Sequence, residues 1–263
     1  MVLSVKATAM IFEEKLIFHP TKYPAGNWET QERQPCAIEE VHLKTSDGVS
    51  LNAWFLKGHD TRRMMIYFHG NAGHIADRYD WGCALTQVPA NVLMVDYRGY
   101  GKSEGSPHEA GLYLDAESAW HFLREQKGAQ EDDIWVYGKS LGGAPATHLA
   151  QRYKPGALIL QSTFTSIPDM AAVIMPWAPR FLVRTQFANV EKLPAIRSPT
   201  MVIHSKEDEL IPFRMAEALF GASANPYQLL SFDGYGHNDL VFAKGKDIIR
   251  AMSKMAHATL DGT

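Results

Sequence analysis

Ile134-Trp135-Val136-Tyr137-Gly138-Lys139-Ser140-Leu141-Gly142-Gly143-Ala144 decides how the rest of the chain is read. Four strand-forming apolar residues run directly into Gly-x-Ser-x-Gly, and a helix-like segment, Leu141 to Tyr153, follows. A strand that turns at once into a helix forces the residue at the turn into a strained, exposed conformation, and glycines two positions to either side relieve the crowding. The Ser140 hydroxyl then projects from the carboxyl edge of a sheet. The amide of Leu141, at the start of the helix, is free to donate to an oxyanion. By itself the five-residue pattern arises by chance in roughly one chain in ten of this size. Its place between a strand and a helix, with Gly142, Gly143 and Ala144 for close packing, sets it apart. Ser103 and Ser162 lack that setting.

Working outward, similar short apolar runs recur at Met64 to Phe68, Val92 to Asp96, Ala157 to Leu160, Met201 to His204 and Gln228 to Phe232. Like Ile134 to Tyr137, they are continuous and often β-branched, as strands covered on both faces should be. Ile38 to Lys44 and Val49 to Phe55 flank Ser46-Asp47-Gly48, and Asp-Gly there predicts a hairpin and an antiparallel edge. Leu112, Ala116, Ala119 and Leu123 recur at helical spacing, and Phe213 to Phe220 and Lys246 to Met255 read as further helices. The alternation predicts an α/β fold: a mostly parallel central sheet with an antiparallel N-terminal edge and helices on both faces. Residues 167–190 differ. They are apolar, carry Pro168, Pro176 and Pro179, and intervene between two predicted strands, so they read as a small lid. Its Met170, Val173, Ile174, Met175, Trp177, Phe181 and Leu182 suit either an acyl chain or ordinary packing on the core.

With 263 residues, 46% hydrophobic and 21% charged, the chain is expected to form a single domain over 1–263. A net charge of -3 with scattered basic residues argues against nucleic acid as a partner. Cys36 and Cys83 make neither a disulfide framework nor a zinc ligand set; their pairing is open, and they fit a reducing compartment. Met1 to Phe12 is mildly apolar but broken by Lys6 and closed by Glu13-Glu14-Lys15, against the about twenty apolar residues that span a bilayer. It also lacks a secretory h-region. A cytoplasmic location is expected, with membrane association if the native N-terminus is longer.

A serine hydroxyl needs a base that titrates near neutrality and a carboxylate to orient that base. His237, in Gly234-Tyr235-Gly236-His237-Asn238-Asp239, follows a predicted strand and precedes the last helix, a loop position that can return to the sheet's carboxyl edge. Asp208 lies between serine and histidine in chain order, four residues beyond His204 and ahead of Ile211-Pro212. Glu207 and Glu209 adjoin it, so a solvated acidic loop is the competing reading; Asp233 and Asp239 sit beside the histidine and outside the expected loop. Upstream, His69-Gly70-Asn71-Ala72-Gly73 leaves the strand Met64 to Phe68, where backbone amides can turn toward a developing negative charge and Asn71 can give the second donor. His69 itself reads as a structural brace of that loop.

His69 to Gly73, Asp96-Tyr97-Arg98-Gly99-Tyr100-Gly101-Lys102-Ser103, the Ser140 turn, the Asp208 loop and Gly236-His237 together resemble the α/β-hydrolase superfamily. More narrowly, they are similar to its small-lid branch, which contains the eukaryotic protein depalmitoylases and many uncharacterised bacterial serine hydrolases. The resemblance runs from about Glu14 to the last helix. It implies a triad of Ser140, Asp208 and His237, an oxyanion hole from Asn71 and Leu141, and no cofactor or metal. Members of the branch often begin with a membrane anchor, which Met1 to Phe12 does not supply, so membrane attachment is left open and peripheral contact with a membrane stays among the expected partners. Lys139 sets a cation beside the nucleophile, either solvated or biasing binding toward acidic groups near the scissile bond.

Other chemistries fail on spacing. Gly101-Lys102-Ser103 and Gly138-Lys139-Ser140 resemble the end of a phosphate loop, but Asp96 and Asp133 occupy the position of its first glycine. Glu104 stands where a dinucleotide fingerprint needs its third glycine, and His108-Glu109 has no second zinc-ligating histidine. A serine nucleophile supports acyl transfer to water, so the expected substrate is a small-molecule or lipid ester or thioester with an apolar acyl group. Amide cleavage, or a non-catalytic protein that keeps the fold, is the alternative.

Overall fold

Successive residues of a strand point to opposite faces, and along this chain both sets are apolar. A computed structural model describes residues 13–26, 28, 36–59, 62–177, 179 and 183–258. In β3 (Met64–Phe68), Ile66 and Phe68 bury on one face and Met65 and Tyr67 on the other. The same division holds in β4 (Asn91–Val95), β5 (Ile134–Lys139) and β6 (Ala157–Gln161), where Leu93, Val136 and Leu160 oppose Met94, Trp135 and Ile159. Each large apolar side chain so buried stabilises the fold by roughly 1.5–3 kcal/mol, which is why these runs are continuous rather than alternating.

Among the described residues the sheet has eight strands, with β1 (Ile38–Lys44), β2 (Ser50–Leu56), β7 (Thr200–Ser205) and β8 (Pro226–Phe232) completing the order β1-β2-β4-β3-β5-β6-β7-β8. β1 and β2 are antiparallel to each other, and β2 is antiparallel to β4; the other neighbours are parallel. The hairpin turns at Gly48, whose φ of 88° is left-handed, as the Asp-Gly reading requires.

Helices α2 (Glu109–His121), α3 (Gly143–Arg152) and α5 (Phe213–Ala222) cover one face, burying Leu112, Ala116, Leu149 and Leu219. Helices α1 (Tyr79–Leu85) and α6 (Leu240–Ala258) cover the other with Tyr79, Leu85, Ile248 and Met252. β3 therefore leads to a helix on one face, while its neighbour β5 leads to α3 on the opposite face. Where crossovers part in this way a crevice opens at the carboxyl ends of the two strands. His69 to Gly73 and Ser140 are the residues that leave β3 and β5 there.

The predicted lid contains α4 (Ile167–Ile174), capped by Ser166, whose hydroxyl accepts the Asp169 N–H at 3.1 Å. Ile167, Met170 and Val173 pack on the core, whereas Ile174 and Trp177 are 69% and 82% exposed. Met175 is exposed as well, and Phe181 and Leu182 lie outside the described residues.

Cys36 and Cys83, left open by the sequence, are joined, with Cα atoms 5.6 Å apart. The link ties the residue ahead of β1 to α1 and removes the two cysteines as support for a reducing compartment. No helix among the described residues is long and apolar enough to cross a membrane.

Candidate active site

The turn between β5 and α3 has the strain that its sequence predicts. Ser140 has a φ of 52°, a left-handed conformation that costs a non-glycine residue about 1–3 kcal/mol and is kept only where the surroundings enforce it. Those surroundings are glycines in contact. A Cβ on Gly142 would collide with the carbonyl oxygen of Phe68, and one on Gly138 with that of Gly142. β3, β5 and the first turn of α3 are thus pressed together at Ser140. Gly70 lies close enough that an added Cβ would stand 3.5 Å from the Ser140 Cβ. Thr163, just beyond β6, donates its hydroxyl to the Ser140 carbonyl at 2.7 Å.

The loops after β7 and β8 bring the other two predicted residues to the same place. His237 Nε2 is 3.1 Å from Ser140 Oγ, and His237 Nδ1 is 2.8 Å from Asp208 Oδ2. A carboxylate only accepts, so Nδ1 carries the imidazole proton and Nε2 is left to accept from the serine hydroxyl. Asp208 is itself held rigidly: Leu210 N–H and Ile211 N–H donate to Oδ1 at 3.0 and 2.8 Å. Burial pushes its carboxyl up, but the His237 hydrogen bond and charge and the Ile211 amide outweigh that and hold it below the ordinary carboxylate range. Ser140 is partly exposed whereas Asp208 and His237 are buried, so the hydroxyl faces solvent and its partners do not.

Asn71 needs a distinction that sequence did not make. Its side chain is fully engaged: Nδ2 donates to Ile17 O at 2.5 Å, while Oδ1 accepts from His19 N–H at 3.0 Å and Tyr100 Oη at 2.8 Å. The carboxamide fastens the N-terminal segment to this loop, and the backbone N–H, with no partner among the described residues, is the group left to donate. Leu141 N–H, in the first turn of the helical segment, has no intrahelical acceptor. The two amides come from the two sides of the crevice between β3 and β5.

His69 is buried and braces the same loop, its Nδ1 2.6 Å from Gly70 O and its ring against Tyr97. Asp233 is paired with Lys206 at 2.8 Å, and Asp239 accepts the Gly236 N–H at 2.9 Å; neither meets the His237 ring. The acidic neighbours of Asp208 are solvent-exposed, as an acidic loop would be, but each also holds backbone. Glu207 accepts Gly234 N–H at 2.5 Å and Glu209 accepts His237 N–H at 2.9 Å, so three consecutive carboxylates grip one loop. Sequence reasoning missed the roles of the two glutamates, and the signal was the run itself, placed after a strand and facing the histidine loop. His204, another residue not singled out, is buried with Nε2 3.3 Å from Asp208 Oδ2 and 2.8 Å from Ile211 O.

Lys139 is not freely solvated. Burial, with Arg78 close by, pulls its ammonium down to about 8, against a smaller opposing pull from Asp208.

A family profile described as serine aminopeptidase, S33, matches residues 59–192. An uncharacterized protein of Mycobacterium tuberculosis is 32% identical over 250 residues, which cover 94% of this chain and 88% of that one. Alpha/beta hydrolase domain-containing protein 17B of Homo sapiens is 34% identical over 217 residues, 82% of this chain and 74% of the human protein. Among solved structures, the esterase Pf2001 of Pyrococcus furiosus superposes with a TM-score of 0.74 over 92% of this chain and 97% of its own, at 18% identity, a likeness of fold alone. With the sheet order, the crevice and these relatives in agreement, the chain belongs to the α/β-hydrolase family described as serine aminopeptidase, S33, and is a hydrolase.

Proposed function

We propose that this hydrolase cleaves carboxylic ester or thioester bonds of apolar acyl substrates through an acyl-enzyme on Ser140. The observation that carries the reading is the unbroken chain from Ser140 Oγ through His237 to Asp208, at 3.1 and 2.8 Å, on a serine held at a φ of 52°. His237 Nε2 takes the hydroxyl proton as Oγ attacks the acyl carbonyl, and the Asp208 carboxylate stabilises the imidazolium. The Asn71 and Leu141 amides receive the oxyanion; one such donor is typically worth about 3–4 kcal/mol in the transition state. The imidazolium then protonates the leaving group, and water, activated by the same nitrogen, releases the acid.

Ester or thioester is preferred over amide because their leaving groups ask less of the proton donor. The family description, serine aminopeptidase, favours the amide as second reading. The experiment is a pair: a fluorophosphonate probe with mass-spectrometric site mapping, and turnover of p-nitrophenyl esters of graded chain length beside an amino-acid p-nitroanilide. Label on Ser140 and ester turnover that Ser140→Ala abolishes are expected. Label elsewhere, or full activity in Ser140→Ala, refutes the mechanism; p-nitroanilide as the better substrate transfers the reading to the peptidase.

A further inference from the structure

A cavity of about 930 Å³ opens between α1 and α6, and two of its wall residues adjoin the candidate catalytic pair: Lys139 precedes Ser140, and Asn238 follows His237. Arg78, at the end of the turn ahead of α1, lines the same space. We infer that this cavity is a substrate subsite for an oxyanionic group, a carboxylate or phosphate carried on the molecule whose acyl bond Ser140 attacks. The inference rests on the hydrolase reading given above and names the substrate class for that site.

Lys139 carries the inference because its charge is uncompensated. The side chain is half-buried, and a cation that gives up part of its hydration is as a rule paired, since the loss is otherwise unrecovered. Among the described residues the Lys139 ammonium meets one acceptor, Asn238 Oδ1 at 3.4 Å, and forms no ion pair with a carboxylate. Its charged neighbour Arg78 repels it, and the anion that attracts it, Asp208, is committed to His237 and two backbone amides. The other carboxylates of the wall are mostly spoken for. Asp77 lies 3.4 Å from Arg78 and accepts the His74 N–H, and Asp247 is paired with Arg250 at 3.2 Å, which leaves Asp80. Arg78 is anchored by donating to Ala72 O at 2.6 Å, so one cation is fixed to the His69 to Gly73 loop and the other to the strand that ends in the nucleophile. An anion between them would meet a guanidinium and an ammonium at once. Trp81, Val241 and Phe242 supply apolar wall beyond the two cations, so the fitting substrate is amphipathic, an acyl ester with an acidic group on one part.

The test has a binding arm and a turnover arm. Calorimetric titration of Ser140→Ala with adipate and with inorganic phosphate is expected to show saturable binding of at least one, weakened about tenfold by adding Lys139→Met and kept by adding Lys139→Arg. Which of the two binds assigns the group as carboxylate or phosphate. In the turnover arm, the ratio of kcat/KM for mono-p-nitrophenyl adipate to that for p-nitrophenyl hexanoate is expected to fall about tenfold in Lys139→Met, and in the unaltered protein to fall as salt is raised. Lys139→Gln replaces the methionine variant if that one does not fold. Neither anion binding, binding indifferent to position 139, or a ratio unmoved by substitution and by salt overturns the subsite. Absence of all ester turnover with anion binding intact would instead remove the ester and thioester reading and leave the anion site standing.

Discussion

Glu209 Oε2 accepts the backbone N–H of His237 at 2.9 Å, so the residue next to the candidate acid holds the backbone of the candidate base while the acid holds its ring. Two neighbouring positions on one loop thus fix both the placement and the orientation of a histidine 28 and 29 residues away in sequence. Removing the acceptor frees the loop without touching the Ser140 hydroxyl. Glu209→Ala is expected to lower kcat about tenfold with little change in KM, because a misplaced base costs transition-state geometry rather than binding. Glu209→Gln, which retains an acceptor oxygen, should recover most of the loss. An alanine variant with unaltered kcat would show that the loop holds His237 without this bond.

Ser140 trades backbone strain for exposure of its hydroxyl. Glycine tolerates a φ of 52° without penalty, so Ser140→Gly is expected to gain about 1 kcal/mol of stability while losing about 10⁴-fold or more in esterase activity. Ser140→Ala should lose the same activity with no such gain, since alanine is strained there too. Thermal unfolding of the two variants side by side separates them. A glycine variant less stable than the alanine one would mean that the turn is not strained.

Close approach, rather than dihedral freedom, makes Gly142 irreplaceable: an added Cβ would run into the Phe68 carbonyl, which belongs to the strand backbone and cannot move aside. Gly142→Ala is expected to destabilise by about 3 kcal/mol or more and to disturb the Leu141 amide with it. Gly221, inside α5 and with nothing near its missing Cβ, is the control. Gly221→Ala should stabilise by about 0.5–1 kcal/mol through helix propensity alone. Equal effects at the two positions, read from denaturant midpoints, would contradict the packing described.

Much of this architecture was legible because burial on both faces leaves continuous apolar strands, and these can be read locally. Ile38 to Lys44 and Met64 to Phe68 were delimited to the residue, and the other strands to within one or two. The order serine, aspartate, histidine was likewise visible, since each follows a strand. What escaped has tertiary causes. α1 was missed because Tyr79, Trp81, Cys83 and Leu85 alternate as a strand would, the helix being buried on more than one side, and because Gly82 reads as a breaker although it lets α1 approach Met94 and Leu56. α6 begins at Leu240, and its turns ahead of the predicted Lys246 escape a local reading because Phe242, 90% exposed, blurs the amphipathic pattern. The grips of Glu207 and Glu209 on the histidine loop, and the Cys36–Cys83 link, join residues distant in sequence, which no local pattern encodes.

Lys139 should cost the fold stability, and the cost should depend on pH in a definite direction. Burial draws its ammonium from the ordinary 10.5 down to about 8 in the folded protein. Between those values the unfolded chain binds the proton that the folded protein has released, so stability rises with pH across this window. Below about 8 both states are protonated and the penalty for the buried charge is felt in full; above 10.5 both are neutral and it vanishes. Lys139→Met removes the charge and keeps an unbranched apolar side chain. Discounted for the partial exposure of the residue, the gain near neutrality is expected to be on the order of 2 kcal/mol. Melting temperatures of the two proteins should therefore differ most at or below neutrality, with the variant higher, and converge as pH approaches 10. A variant less stable at neutrality, or a gap that does not narrow with rising pH, would show that the cation already has a counter-charge, and would remove the physical ground for placing an anion beside it.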